Sequence, residues 1–358
     1  MQLRGIAVTE PKPLRWGIIA CGQIAHDRVL PALDMAANCE VVALFDPDPA
    51  RIERALLKAP DAATYDTLEG ILADRNVEAV YIATPNHLHC EQTIAAAEAG
   101  KQILVEKPMA LNADEGRQMV AAADKAGVKL MVAYMTLFNP AFQAAKALVD
   151  AGSLGTIVAA RGRHSYRMNP DALSPANLWR LDARFGGGPL MDVGVYSIFT
   201  LRELTGTRPA VVTAVGSLNR LPGTTHYDAI VVSYIAEDGT PGSIEANFTF
   251  NSSNYELEGS KGRLNLQGHI TQLIAGRMDA EIWRDVRPRA ISQRVSHEVV
   301  PTGLPEFANY LGEVEHFADC VQQDREPISA GRIAVGDLAV ADAVRESLQT
   351  GKRAEVAY

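Results

Sequence analysis

Over the first 135 or so residues of the sequence, short apolar runs alternate with segments of helical character, and few folds accommodate that pattern. The runs lie at 15–20, 41–45, 79–83, 102–105 and 129–133. Between them a helix begins at 24–33 and another covers 49–58. An alanine-rich helix stops at Gly100, and a further one covers Ala113–Ala126. A strand with a continuous apolar stretch must be covered on both faces, so the series predicts a parallel sheet wrapped by helices. After Pro140 the period changes. A helix over 141–151 leads into strands that alternate every second residue. The clearest is 243–250, with Ile244, Ala246, Phe248 and Phe250 on one face and Ser243, Glu245, Asn247 and Thr249 on the other. The segments 211–215, 229–235 and 263–267 are expected as its neighbours. Two helices close the chain, 306–322 and 332–349, the second with Val335, Leu338, Ala341, Val344 and Leu348 on one stripe.

A chain of 358 residues exceeds one ordinary core, so two domains are expected, an α/β domain over 1–137 and an α+β domain over 138–358. The last helices are expected to pack back on the first domain. The net charge of −9 argues against a nucleic-acid partner, which calls for a basic face. No run approaches the length of a membrane span, and no apolar run of signal-peptide length precedes the first strand. Cys21, Cys39, Cys90 and Cys320 are scattered and read as reduced thiols, so the cytoplasm is the expected compartment.

Directly after the first strand stands Ala20-Cys21-Gly22-Gln23-Ile24-Ala25. A strand, a tight turn and a helix N-terminus suit a dinucleotide pyrophosphate. The usual three glycines are reduced to Gly22, and Ala20 in place of the first is expected to cost little. Asp46 ends the second strand, where a carboxylate accepts hydrogen bonds from ribose hydroxyls and repels a 2′-phosphate. NAD is therefore preferred to NADP, with Arg51 close enough to complicate the choice. Asp46 to Pro49 also reads as a simple turn and helix cap. Thr84-Pro85-Asn86-His87-Leu88-His89 follows the third strand of the series at the same ligand-binding edge. His87, His89 and Cys90 lack a distant carboxylate partner, so no metal is expected. Glu106-Lys107-Pro108 ends the next strand. Far along the chain stands Gly186-Gly187-Gly188-Pro189-Leu190-Met191-Asp192-Val193-Gly194-Val195-Tyr196, where Asp192 and Tyr196, four apart, share one face of a helical turn.

These segments, in this order and with the ending over 305–356, resemble the Gfo/Idh/MocA oxidoreductases across nearly the whole chain. The resemblance implies a Rossmann domain, then a domain built on a large, mostly antiparallel open sheet, with the site between them. It also implies homodimers or homotetramers assembled through that sheet. Dinucleotide contacts are then expected from Ala20, Gly22, Gln23, Ile24, Asp46, Thr84, Asn86, His89, Glu106 and Lys107. Lys107 stands beside the nicotinamide, Asp192 orients substrate or lysine, and Tyr196 stands where many members have histidine. That tyrosine, with Trp179-Arg180-Leu181, resembles the glucose–fructose oxidoreductase, dihydrodiol dehydrogenase and xylose dehydrogenase branch, in which tyrosine is the acid/base. Arg180 and Tyr134 are expected to contact substrate, and pocket residues are expected from 134–140, 161–181 and 250–256. Met135 departs from the pattern, which places a basic residue there.

Oxidising a sugar or polyol hydroxyl sends a hydride to the nicotinamide and requires a base for the hydroxyl proton. A tyrosine needs its ordinary pKa of about 10 lowered for that task, and Lys107 is expected to lower it for Tyr196. A cyclic aldose oxidised to a lactone fits this chemistry. The alternatives are a dinucleotide- or sugar-binding regulator without catalysis, and a Rossmann-type methyltransferase, which Lys107 and the separate antiparallel domain disfavour.

Overall fold

A computed structural model describes residues 12–218, 221–268, 270–271, 275–286, 289–299 and 305–358. Most of the N-terminal stretch read for a leader lies outside them. Among the described residues no helix is long and apolar enough to cross a membrane.

The first sheet has six parallel strands: β1 (Leu14–Ile19), β2 (Cys39–Phe45), β3 (Ala63–Tyr65), β4 (Ala79–Ile82), β5 (Gln102–Glu106) and β6 (Leu130–Ala133). Their spatial order, β3-β2-β1-β4-β5-β6, reverses between β1 and β4. Ligands bind open α/β sheets at the carboxyl edge beside such a reversal. Helices α1 (Leu30–Met35), α2 (Pro49–Leu56), α3 (Leu68–Ala73), α4 (His89–Glu98) and α5 (Ala113–Ala126) make the crossovers. Local chemistry sets their ends: the Asn112 side chain accepts from Glu115 N at 2.9 Å at the start of α5, and Gly127, in the left-handed region, closes it. The short strand β3 and the helix α3 lie in a segment whose sequence period is too brief to reveal them.

The second sheet has nine strands: β7 (Ile157–Ser165), β8 (Pro209–Ser217), β9 (Ala229–Ala236), β10 (Pro241–Asn247), β11 (Ser252–Gly259), β12 (Gly262–Gln267), β13 (Gly276–Val286), β14 (Arg289–Val299) and β15 (Ala354–Glu355), in the order β14-β13-β12-β11-β7-β10-β9-β8-β15. Every pair is antiparallel except β7 with β10. Two expectations need correction. Of the three expected neighbours of β10, only β9 pairs with it; β8 lies one strand further out and the strand near 263–267 pairs with β11. The other neighbour of β10 is β7, whose sequence, Ile-Val-Ala-Ala-Arg-Gly-Arg-His-Ser, mixes small and charged residues and hides the alternation. Ile244, Ala246 and Phe248 are buried as the alternation expects, but Asn247 of the other face is buried too, the strand ends there, and Phe250 turns out to 42% exposure.

Helices α6 (Pro140–Asp150) and α7 (Val195–Thr205) cover one face of this sheet. Helix α8 (Ala308–Gln322) returns to the first sheet and packs on α1, while α9 (Gly331–Thr350) lies against both α5 and β8. The return is also tied at the backbone, where Val132 N donates to Ser329 O at 2.9 Å and Ser329 Oγ donates to Val132 O at 2.7 Å. A buried ion pair adds to it. Arg202 of α7 donates to Asp337 of α9 at 2.8 and 3.1 Å, and the hydroxyl of Tyr134, at the end of β6, reaches the same carboxylate at 3.2 Å. Removing one partner of such a pair leaves an uncompensated buried charge. Asp337→Ala is expected to lower the unfolding free energy by about 3–5 kcal/mol in denaturant titration. A loss under about 1 kcal/mol, the value of an exposed pair, would show that Asp337 does not tie the helices together.

Candidate active site

The turn after β1 carries strain. Ala20 sits at φ 75°, the left-handed region that the missing first glycine adopts freely, so alanine there costs on the order of 1 kcal/mol, more than the sequence suggested. Its amide donates to Phe45 O at 2.8 Å, which holds the strained turn against β2. A side chain added at Gly22 would meet no protein atom within 4 Å, so the turn is open on that side. The helical segment after Ile24 begins without a side-chain cap, leaving first-turn amides for another acceptor. Gln23 is exposed and Ile24 half-buried beside it. This open, uncapped turn at the sheet reversal fits the pyrophosphate of a dinucleotide.

Asp46 lies differently from a free ribose acceptor. It is buried, accepts from Cys21 N at 2.8 Å and Asp48 N at 2.9 Å, and lies 3.6 Å from an Arg51 guanidinium nitrogen. It braces the phosphate turn against the end of β2, and Arg51 offsets its charge. Across the reversal, the Thr84 hydroxyl donates to Gln92 at 2.7 Å and Asn86 Nδ2 donates to Gly186 O at 3.0 Å. His89 is fully buried, with Nδ1 2.9 Å from Pro108 O and Nε2 2.8 Å from Thr84 O. Burial pushes its pKa down against those two carbonyls. His89 therefore clamps the loop after β4 to the loop after β5, with no ring edge facing open space.

Lys107 follows β5 directly, and its Nζ joins segments far apart in sequence. It donates to Asp192 O at 3.0 Å, lies 3.6 Å from Asp192 Oδ1, and stands 4.5 Å from the centre of the Tyr196 ring. The trio picked from the sequence is thus one cluster with the lysine at its centre. Arg180 donates to Asp192 Oδ1 at 2.8 Å and the Tyr166 hydroxyl to Oδ2 at 3.0 Å. Burial alone raises the Asp192 carboxyl, but the charges of Arg180 and Lys107 and the hydrogen bonds from Tyr166 and Arg180 more than reverse this and hold it below its ordinary value. The glycine run explains how Arg180 arrives. A side chain on Gly187 would stand 2.6 Å from the carbonyl oxygens of Trp179 and Arg180, so only glycine lets the chain wrap the turn that carries Arg180.

Two expected residues differ from their assigned surroundings. Tyr134 is buried, stacks on Phe199 at 3.9 Å and bonds Asp337, so it belongs to the helix anchor described above. Tyr196 is buried too, and its hydroxyl lies 3.9 Å from Met135 Sδ, while Lys107 stands over the ring face. Burial first, then Tyr310, Glu106, Asp192 and Glu313, push its pKa well above the ordinary value, the reverse of the expected lowering. A phenol in that environment keeps its proton at neutral pH. Glu106 is also buried, accepting from the Tyr81 hydroxyl at 2.5 Å and from Lys107 N at 3.2 Å.

The sequence left Tyr166 unnamed within 161–181, and it did not single out His164, whose ring centre lies 4.9 Å from that of Tyr196. The available signal was a His-x-Tyr alternation at the end of β7, a strand that was not recognised.

The chain matches the model of the oxidoreductase family with an NAD-binding Rossmann fold over residues 14–134, and that of the GFO/IDH/MocA C-terminal domain over 142–265. It belongs to that family of oxidoreductases. It is 30% identical over 352 residues to a D-xylose 1-dehydrogenase (NADP(+)) of Haloferax volcanii, covering 96% of this chain and 100% of the relative. It is 33% identical over 262 residues to a trans-1,2-dihydrobenzene-1,2-diol dehydrogenase of Mus musculus, covering 71% and 74%. The crystal structure of aldose-aldose oxidoreductase from Caulobacter crescentus, complexed with glycerol, superposes with a TM-score of 0.84 at 27% identity, covering 96% of this chain and 100% of that one. Both matched relatives belong to the branch that Tyr196 and Trp179-Arg180-Leu181 resemble.

Because the folded-state pKa of Asp192 is depressed, its pairing stabilises the fold fully above the unfolded carboxyl pKa of about 4. That contribution is lost as pH falls through the folded value. Asp192→Asn is expected to destabilise the chain by about 3–5 kcal/mol near neutral pH, with the gap to native protein narrowing in denaturant titrations run below pH ~4. A gap independent of pH would show that the charge of Asp192 is not what the pocket needs.

Proposed function

We propose that the chain is an NAD(P)-dependent dehydrogenase or reductase acting on the hydroxyl or carbonyl carbon of a sugar or polyol, with a cyclic aldose as the favoured substrate. The observation that carries this reading is the Lys107–Asp192–Arg180–Tyr166 cluster at the carboxyl end of β5, beside the turn that fits a dinucleotide. The matched relatives, named for xylose, a dihydrodiol and aldoses, support the substrate class. A bound nicotinamide would supply the hydride acceptor or donor. Lys107 would hold the reacting oxygen, Asp192 would hold Lys107 and Arg180 in place, and Arg180 and Tyr166 would meet neighbouring hydroxyls. Tyr196, protonated at neutral pH, would give its proton to a carbonyl oxygen on reduction and recover it on oxidation. Met135 beside its hydroxyl offers an apolar contact where a basic residue would select an anion, which suits a neutral sugar. A regulator without catalysis would have no use for a lysine buried against a carboxylate at this edge.

NAD is the proposed cofactor, with NADP also accepted. Asp46, at the end of β2, would bring a negative charge toward a bound adenosine ribose, but its bonds to two backbone amides and its nearness to Arg51 would blunt the repulsion of a 2′-phosphate. We read the chain as a dinucleotide domain over 1–137 and a substrate and assembly domain over 138–358. Assembly into dimers or tetramers is assigned to the uncovered face of the second sheet. There Val215 and Val231 face one another across β8 and β9 and stand exposed beside the ion pairs of Arg161 and Arg163. A monomeric mass in solution would rule that out. The four unpaired thiols support a reducing compartment, the cytoplasm, which cell fractionation tests.

The decisive assay follows nicotinamide absorbance with both dinucleotides across a panel of aldoses and polyols. Lys107→Ala is expected to lower kcat by at least ~10²-fold, and Arg51→Ala to raise KM for NADP by about tenfold with little change for NAD. Turnover indifferent to Lys107→Ala would remove the lysine from the mechanism. Tight dinucleotide binding without turnover of any panel member would favour a regulator.

A further inference from the structure

What aims Arg180 lies outside the cluster around Asp192. Its guanidinium donates to Asp192 Oδ1 at 2.8 Å and stands 4.5 Å from the centre of the Trp179 ring. The side chain nevertheless stays 30% exposed, so N–H groups remain for the oxygens of a ligand. A long side chain of this kind keeps its direction only where its backbone is fixed, since its own rotamer freedom is large. Little regular structure fixes the backbone here. Residues 175–181 and 183–185 form short 3₁₀ turns, whose hydrogen bonds are poorly aligned. Ties come instead from the segment between β8 and β9. Thr225 N donates to Leu181 O at 3.0 Å, and the Thr225 hydroxyl oxygen accepts from Ala183 N at 3.0 Å. The next residue, His226, supplies the tie at Arg180 itself.

His226 is buried, with Nε2 2.9 Å from Arg180 O and Nδ1 2.7 Å from Tyr227 O. Both partners are carbonyl oxygens, so the ring acts toward them only as a donor. Arg180 O takes a second donor, Gly188 N, at 3.1 Å. The ring also seats on the glycine run. A side chain built on Gly188, which sits at φ 102°, would stand 2.9 Å from the ring Cγ, so only glycine leaves the imidazole its place. Phe248 meets the ring edge-on at 5.9 Å. The imidazole is thus wedged between the last glycine of the run, the core of the second sheet and the carbonyl it holds.

We propose that His226 is a positioning residue of the substrate pocket: by donating from Nε2 to Arg180 O it fixes the turn that aims the Arg180 guanidinium at ligand hydroxyls. The proposal rests on the sugar reading above and adds to that pocket a residue from outside 134–140, 161–181 and 250–256. His226 acts through Arg180 and needs no contact with sugar or dinucleotide. When Arg180 is loosened, Asp192 keeps Lys107 and Tyr166, so the lysine stays in place once a sugar is bound. The turn after β1 is held by Asp46 and Phe45, away from this segment. Loss of the tie therefore falls on sugar affinity and spares both the chemical step and the dinucleotide.

The test compares the whole native chain with His226→Leu, His226→Gln and His226→Asn, using both dinucleotides and the aldose panel, D-xylose included. Glutamine can bring an N–H to the Nε2 position, whereas asparagine brings its own near Nδ1 and falls short of Arg180 O. His226→Leu and His226→Asn are expected to raise the KM for sugar about tenfold, with kcat and dinucleotide affinity nearly unchanged. His226→Gln should restore most of the loss. The effect should also vanish where Arg180 is already gone: in an Arg180→Ala chain, adding His226→Leu is expected to raise KM by less than about twofold. A merely structural role would add its full factor in either background. Hydrogen exchange reads the tie without any sugar. Amides over 179–188 should exchange about tenfold faster in His226→Leu and His226→Asn than in the native chain, and close to the native rate in His226→Gln. Native exchange in His226→Leu, equal behaviour of the glutamine and asparagine variants, or an undiminished effect in the Arg180→Ala chain would each overturn the proposal. Where His226→Leu does not fold, the contrast between glutamine and asparagine decides the same question. Faster exchange with no sugar turned over would sink the sugar reading and leave the tie to Arg180 standing. Sugar turnover with native KM and native exchange in His226→Leu would do the reverse.

Discussion

A carboxylate taken out of water has to be matched by positive charge and hydrogen bonds, and the arrangement of this protein's candidate centre follows from that requirement at Asp192. The residue is buried, and its carboxylate takes two hydrogen bonds and the nearby charge of a lysine from three places. Lys107 arrives from the end of β5, Arg180 from the turn wrapped by the glycine run, and Tyr166 from just beyond β7. No one segment could satisfy it. Pairing the acid therefore brings the carboxyl edge of the first sheet against the second, and the same contacts set the lysine where a dinucleotide and a hydroxyl-bearing ligand would meet.

The clamps around this centre use the same physics with the backbone as partner. Asp46 ties the turn after β1 to the end of β2, and His89 ties the loops after β4 and β5 together, each by spending its polar atoms on main-chain groups. The strain at Ala20 is borne because that turn is held from both sides. Further out, Arg202, Asp337 and Tyr134 anchor α9 to α7 and β6. The C-terminal helices are thus part of the first sheet's support as well as the end of the second.

Glu313 departs from this pairing, with neither carboxyl oxygen partnered among the described residues. Its neighbours on α8, Val314 and Phe317, pack as an ordinary core, with Phe317 5.4 Å from Trp16. A leucine would have served that packing better than an acid. An unpaired acid kept in that core is the kind of local inconsistency expected where function outweighs stability.

The sequence alone determined the parallel sheet, because continuous apolar strand stretches call for cover on both faces, and it determined the chemistry-bearing motifs, because each sits at the end of a strand or in a glycine run. It also carried the family, through motifs in a fixed order. It did not determine which atoms meet. That Lys107 stands over the ring of Tyr196 and not at its hydroxyl, that Asp46 and His89 are spent on backbone, and that Tyr134 serves α9 are consequences of side-chain direction and burial. Such facts have no period or spacing to announce them. The strand β7, the centre of the second sheet, stayed hidden because its charged residues pair across strands, Arg163 with Glu245 and Arg161 with Glu258. Nothing in the sequence singled out Glu313 within the helix read over 306–322. Only the tertiary structure, by closing α8 over the first domain, took its carboxyl out of water.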